Sequence, residues 1–109
     1  PKAGSLLCPL GKYMNDPLLY VEKLRELIEL ASCASTGFER AAVFSASQAI
    51  SKEFDEEDFD GYALEKVENV RWHIAAAIGY DVTNGHSSVQ HLSWASGAVI
   101  TLEDVLKRK

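Results

Sequence analysis

The stretch from Asp60 to Gly79 constrains the fold of this chain more than any other segment. When it is placed on a helix of about 3.6 residues per turn, its apolar side chains share a stripe that covers less than half of the circumference. These side chains are Ala63, Leu64, Val67, Val70, Ile74, Ala77 and Ile78. The pattern predicts a core helix at about residues 60–78, and Gly79 suits the left-handed position that ends such a helix.

Two earlier segments show the same helical periodicity and have clear start signals. Asp16 and Pro17 are typical of an N-cap and a first helical position, so the first helix is expected at about residues 17–34. Thr36 and Glu39 have the spacing of a capping box, which predicts a second helix at about residues 36–54. Its expected core-facing arc consists of Phe38, Ala42, Val43, Ala46, Ala49, Ile50 and Phe54.

The C-terminal third has weaker and more mixed signals. Asn84 and Gly85 predict a turn, which either belongs to a loop or closes a β-hairpin within residues 80–100. Ser87 starts a short helix at about residues 88–96, and Gly97 is expected to end it. After an extended link at residues 98–100, a last short helix is expected at about residues 102–107.

Together these segments predict an all-α fold, a small bundle of three main helices plus two short C-terminal helices. A chain of 109 residues is long enough to bury one core without disulfides or metal ions. Residues 15–109 are therefore interpreted as a single helical domain. Residues 1–14 contain glycine and proline among leucines and are interpreted as an extended N-terminal arm.

The net charge of -5 comes almost entirely from the middle of the chain. Residues 51–70 contain two basic and eight acidic side chains, whereas the segments on either side are nearly balanced. Four of the acids, Asp55, Glu56, Glu57 and Asp58, are consecutive. They either interact with the dipole of the following helix as a solvated cluster or dock on a basic partner. Their spacing does not match a calcium-binding loop, and no basic face for direct nucleic-acid binding is visible.

The sequence contains no motif that points to catalysis, a cofactor or a metal ion. His73, His86 and His91 are not spaced to place two imidazoles on one helical face, and no glycine-rich phosphate loop is present. Cys8 and Cys33 are interpreted as free thiols. We therefore predict no catalytic residues, no cofactor and no metal site, and the balance is against an enzyme. A small enzyme that uses one of the histidines is the remaining alternative in this class.

Several large apolar residues do not fit the core stripes of their helices. Phe44 and Trp72 project away from the apolar arcs of the second and third helices, and Leu19 and Leu30 lie beside the main stripe of the first helix. With Trp94, they are the candidate interface residues. Because water-exposed aromatic rings favour burial at interfaces, we predict a protein-protein interaction module, most simply a homo-oligomer such as a homodimer.

The alternative function is an acidic inhibitor or regulator that presents the four consecutive acids to the basic site of a nucleic-acid-binding protein. Such binding is expected to weaken with added salt. No apolar run reaches the roughly 18 residues needed to cross a bilayer, and no secretory signal is visible. The expected location is therefore cytoplasmic, without contact with a membrane.

Overall fold

The computed structural model describes residues 16–54 and 59–108, and four α-helices account for most of them. They are α1 (Pro17–Cys33), α2 (Gly37–Glu53), α3 (Gly61–Ala77) and α4 (Ser88–Lys107). The described part contains no β-strand, so the all-α prediction is confirmed for it. Each of the first three helices begins and ends within one residue of its predicted bounds. The predicted N-terminal arm, residues 1–14, lies outside the described residues.

The starts of α1 and α2 form as their sequences predict. The Asp16 carboxylate accepts a hydrogen bond from the backbone N–H of Leu18 at 3.0 Å. At α2, the Thr36 hydroxyl accepts from the N–H of Glu39 at 3.0 Å, and the Glu39 carboxylate accepts from the N–H of Thr36 at 3.1 Å. These side chains satisfy N–H groups that have no partner within the helix. Local capping therefore sets both boundaries.

The end of α3 is a Schellman motif that depends on Gly79. The N–H of Tyr80 donates to the carbonyl of Ala75 at 2.8 Å, and the N–H of Gly79 donates to the carbonyl of Ala76 at 3.2 Å. This arrangement requires a left-handed residue just past the helix, and Gly79 has a φ of +90°. The glycine thus ends α3 as predicted and turns the chain into the loop that leads to α4.

The prediction of two short C-terminal helices is wrong, because α4 is one helix of 20 residues. Gly97 does not end a helix and lies on the exposed side of α4. On the opposite side, Ala95, Val99 and Leu102 are completely or almost completely buried. A glycine inside a helix costs about 1 kcal/mol, whereas burying one valine or leucine contributes roughly 1.5–3 kcal/mol. Tertiary packing therefore outweighs the local stop signal, and residues 98–100 are helical rather than extended.

The turn at Asn84 and Gly85 lies in the loop between α3 and α4. Both residues have positive φ, 54° and 83° respectively, as the Asn-Gly pair predicts. Since residues from Ser88 onward are helical, the alternative of a β-hairpin within residues 80–100 is excluded. The Ser87 hydroxyl accepts from the N–H of Gln90 at 3.1 Å and so caps the start of α4.

The helices pack unequally around the core. α4 lies against α3 and α1, while α2 packs chiefly against α1. The molecule is flattened, with extents of 47 × 34 × 18 Å. Its largest completely buried side chains come from all the helices except α2: Tyr20, Val21, Leu24, Leu27, Val67, Val70, Ile74, His91, Val99 and Leu102, together with Phe54 just after α2.

The apolar arc of α2 is only partly covered, which differs from the expectation that it faces the core. Only Val43, Ser47 and the following Phe54 are buried. Phe38 is 85% exposed, and Ala42 and Ala49 are also exposed. The physical reason is the order of packing: α3 and α4 occupy the remaining sides of α1, so no described helix is left to cover the far side of α2.

Candidate functional site

The uncovered part of α2 joins the exposed edge of α1 to form one apolar surface. We call it the α1–α2 face and define it by Leu30, Phe38, Ala42, Ala46 and Ala49. A groove of about 390 Å³ lies between the two helices on this side. Its lining is Leu30, Cys33, Ala34, Glu39, Ala42, Val43 and Ala46. Small alanines in the groove leave room for the side chains or backbone of another helix to approach closely.

Glu39 is the one charged side chain in the lining of this groove, and its carboxylate is engaged locally. It accepts from the N–H of Ser35 at 2.8 Å, from the Ser35 hydroxyl at 3.0 Å and from the N–H of Thr36. The backbone hydrogen bond from Ser35 is the main reason that the pKa of Glu39 is lowered. The negative charge is therefore held at the start of α2, where the helix dipole favours it.

The predicted interface residues fall in different places. Leu30 belongs to the α1–α2 face and is 50% exposed, whereas Leu19 lies near the other end of α1 and is 36% exposed. Phe44 is half-buried and stacks on Tyr80, with 4.6 Å between ring centroids. Part of the surface of Phe44 is therefore covered from within the chain.

The two tryptophans lie beside histidines. Trp72 is half-buried, and its ring centroid is 4.5 Å from that of His73 and 5.4 Å from that of His91. Trp94 is 40% exposed and lies 4.8 Å from the ring of His86. The structure thus brings Trp72 and Trp94 into one aromatic cluster with the three histidines. Neither ring is sealed inside the molecule.

The histidine cluster is the feature that sequence reasoning missed. The Nδ1 atoms of His73 and His91 are 3.0 Å apart, although the residues lie on different helices. His91 is completely buried. A usable signal was present: His73 lies about one turn before the end of α3, and His91 lies about one turn after the start of α4. A short loop that reverses the chain brings such positions to the same level.

Around this cluster, an open groove of about 640 Å³ separates parts of α3 and α4. It is lined by Lys66, Asn69, His73, Ser93, Trp94, Gly97, Ala98 and Thr101. Burial lowers the pKa of His73, and the neighbouring His91 lowers it further. The lowered pKa favours the neutral form of the His73 imidazole, which lies at the edge of a groove with several polar side chains. In this form the ring can both donate and accept a hydrogen bond.

The remaining sequence predictions concern metals, cysteines and acids. Among residues 16–54 and 59–108, no three or more histidine, cysteine or acidic side chains are arranged to hold a metal ion. Cys33 is an exposed free thiol, and Cys8 lies outside the described residues. So do Asp55, Glu56, Glu57 and Asp58, and the acidic docking site stays a prediction. No described helix is both long enough and apolar enough to cross a membrane.

Comparison of the chain with models of protein families, with curated proteins and with solved structures gives no match.

Proposed function

We propose that this chain is a protein-protein interaction module that associates with a second copy of itself through the α1–α2 face. The observation that supports the proposal is the uncovered apolar arc of α2. An amphipathic helix normally buries its apolar stripe against a neighbour, and here Phe38 stays 85% exposed. A second copy supplies the missing neighbour.

A twofold interface uses each residue of the face twice, once from each copy. Fully burying a phenylalanine or leucine contributes roughly 1.5–3 kcal/mol. With Phe38 85% and Leu30 50% exposed, burial of both residues in both copies contributes roughly 4–8 kcal/mol before costs. Association itself costs at least about 4 kcal/mol. The dimer is therefore expected to be reversible, with a mass that depends on concentration.

The charge distribution favours self-association on this side of the molecule. Two copies that each have a net charge of -5 repel one another, so an interface between them is best placed where charge is low. The five residues that define the α1–α2 face are uncharged. The one carboxylate in its groove, Glu39, already accepts hydrogen bonds from the N–H groups of Ser35 and Thr36 at the start of α2.

The test is to place one negative charge on the face and compare it with the same charge elsewhere on α2. Ala42→Glu adds a carboxylate at an exposed position in the groove, so the monomer fold is kept while two copies bring the charges together. Gln48→Glu is the matched control, because Gln48 is exposed on a different side of α2. Sedimentation equilibrium gives the mass of each variant as a function of concentration.

We expect the measured mass of the wild-type chain and of Gln48→Glu to rise above the monomer mass of 12.0 kDa as the concentration increases. The mass of Ala42→Glu is expected to stay at the monomer value. A wild-type protein that is monomeric at every concentration contradicts the proposal. So does a dimer that survives Ala42→Glu. A dimer that is lost only in Gln48→Glu moves the interface to the groove beside Phe44 and Trp72.

A further inference from the structure

The imidazoles of His73 and His91 form a hydrogen-bonded pair, the His73–His91 pair, whose proton positions follow from its surroundings. The Nε2 atom of His91 lies 2.8 Å from the carbonyl oxygen of Thr83. A carbonyl only accepts hydrogen bonds, so His91 Nε2 bears a proton and donates it. In a neutral His91, the Nδ1 atom is then an acceptor, and the N–H that faces it at 3.0 Å belongs to His73 Nδ1.

This arrangement leaves one open position for a further proton. The Nε2 atom of His73 has the remaining lone pair, and His73 lines the open groove with Lys66 and Asn69. One added proton binds there without disturbing the pair. A second added proton has only His91 Nδ1 to bind, where it meets the N–H of His73. The intact pair therefore holds at most one positive charge, whereas two separated histidines hold two.

The pair also fastens the loop between α3 and α4. The carbonyl of Thr83 accepts from His91 Nε2 and from the N–H of His86, the latter at 3.1 Å. The turn at Asn84 and Gly85 lies in the chain between the acceptor Thr83 and the donor His86. Rotation of the His91 ring away from Thr83 removes this hydrogen bond between the loop and the buried side of α4.

We propose that the His73–His91 pair is an acid-sensitive switch: it holds the loop of residues 81–87 against α4 while it has at most one positive charge, and it releases the loop when a second proton binds. The lowered pKa of His73 agrees with this arrangement, since burial and His91 already oppose its charging. The switch does not depend on the α1–α2 face and stands or falls separately from self-association.

The charged and titratable groups around the pair come from α3 and the loop. Lys66 of α3 lines the same groove as His73. The ring of His86 is 6.0 Å from that of His91. The groove beside Trp72 contains Glu68, Arg71 and Asp81. In the described part of the chain, α1, α2 and α4 contribute no charged side chain to the lining of either groove.

The first test is the tautomer of each ring in the wild-type protein. Nitrogen-15 NMR of the histidine side chains at about pH 7.5, above the usual histidine pKa, distinguishes Nδ1–H from Nε2–H. The expected result is Nε2–H for His91 and Nδ1–H for His73. A spectrum in which His73 is the Nε2–H tautomer overturns the proposal, because the two Nδ1 atoms then have no proton between them. No substitution is needed, so a variant that fails to fold does not affect this result.

The second test follows the loop during acidification to about pH 5, below the usual histidine pKa. Backbone NMR signals of Thr83 and His86 report the loop, while Val70 and Val99 report the core. Release linked to one proton raises the ratio of free to held loop by up to tenfold per pH unit. The core signals are expected to stay in place over the same range. A loop that does not respond to pH contradicts the proposal.

Two variants separate the pair from the third histidine. In His73→Asn, the side-chain amide can donate to His91 Nδ1 when that nitrogen is bare and can turn its oxygen to accept when that nitrogen is protonated, so the acid response of the loop is expected to be lost or strongly reduced. His86→Asn removes a histidine outside the pair and is expected to respond like the wild type. The reverse pattern, with the response lost in His86→Asn and kept in His73→Asn, assigns the titration to His86 and overturns the switch.

Discussion

Replacement of Gly97 by alanine tests whether α4 is truly continuous through the position where the sequence predicts a break. Gly97 lies within the helix, is exposed and has no positive φ. A Cβ added to it meets no atom within 4 Å. Alanine therefore introduces no clash and lowers the conformational entropy that the unfolded chain loses on folding. The expected gain in the free energy of unfolding is about 0.8–1 kcal/mol.

The gain is measurable by urea unfolding or by thermal unfolding followed by circular dichroism. For a domain of this size, 1 kcal/mol corresponds to a rise in Tm of about 4 °C. Both measurements are best made at one protein concentration, since self-association adds to the apparent stability of each variant.

Gly79→Ala is the matched control with the opposite sign. Gly79 is also exposed and also has no atom within 4 Å of an added Cβ, but its φ is +90°. An L-residue in that conformation costs about 1–2 kcal/mol, so this variant is expected to be less stable than the wild type. If Gly97→Ala also lowers the stability, Gly97 is a left-handed helix end after all, and the assignment of one long α4 is wrong.

Two further predictions concern the core and the response to acid. Leu102→Ala removes a completely buried side chain of α4 and is expected to lower the free energy of unfolding by about 2–5 kcal/mol. Val89→Ala, at a position that is 78% exposed, is expected to change it by less than about 0.5 kcal/mol. Equal effects of the two substitutions in urea unfolding contradict the assigned core. The pKa of His73 is lower in the folded protein, so the unfolded chain binds a proton at this histidine more readily. The contribution of His73 to the free energy of unfolding is therefore complete above pH 6.5 and falls as the pH drops from there through the folded pKa. Glu39 and Glu103 have pKa values lowered from 4.5, chiefly by hydrogen bonds from Ser35 and Arg25 respectively, so their contributions are complete above pH 4.5 and are lost below it. Stability measured from neutral to acidic pH is therefore expected to fall in two stages, and a curve that is flat down to pH 4.5 contradicts the assignment of His73.

The first three helices were predictable because their signals are local. The Asp16–Pro17 start, the Thr36–Glu39 capping box and the glycine at position 79 each act within one or two turns of the chain. Helical periodicity then identifies a stripe that is buried somewhere. These are short-range physical effects that a single sequence contains in full.

The parts that were not predictable depend on contacts between distant segments. At Gly97 a local stop signal competes with burial of Val99 and Leu102, and only the fold decides which is stronger. The apolar arc of α2 predicts burial, but periodicity does not say that α3 and α4 leave it uncovered. The contact between His73 and His91 joins two helices, so its signal is the distance of each residue from the loop between them and not a spacing within one helix.

The most direct test of the account asks whether two copies meet at the α1–α2 face. Cys33 is exposed and lines the groove of this face, so a spin label attached there, in a chain with Cys8→Ser, reports the distance between copies by pulsed electron paramagnetic resonance. We predict one distance shorter than the 47 Å length of a single molecule and the loss of that signal in Ala42→Glu. The absence of any distance between labels at concentrations where the protein is not monomeric, or a distance unchanged in Ala42→Glu, contradicts this prediction.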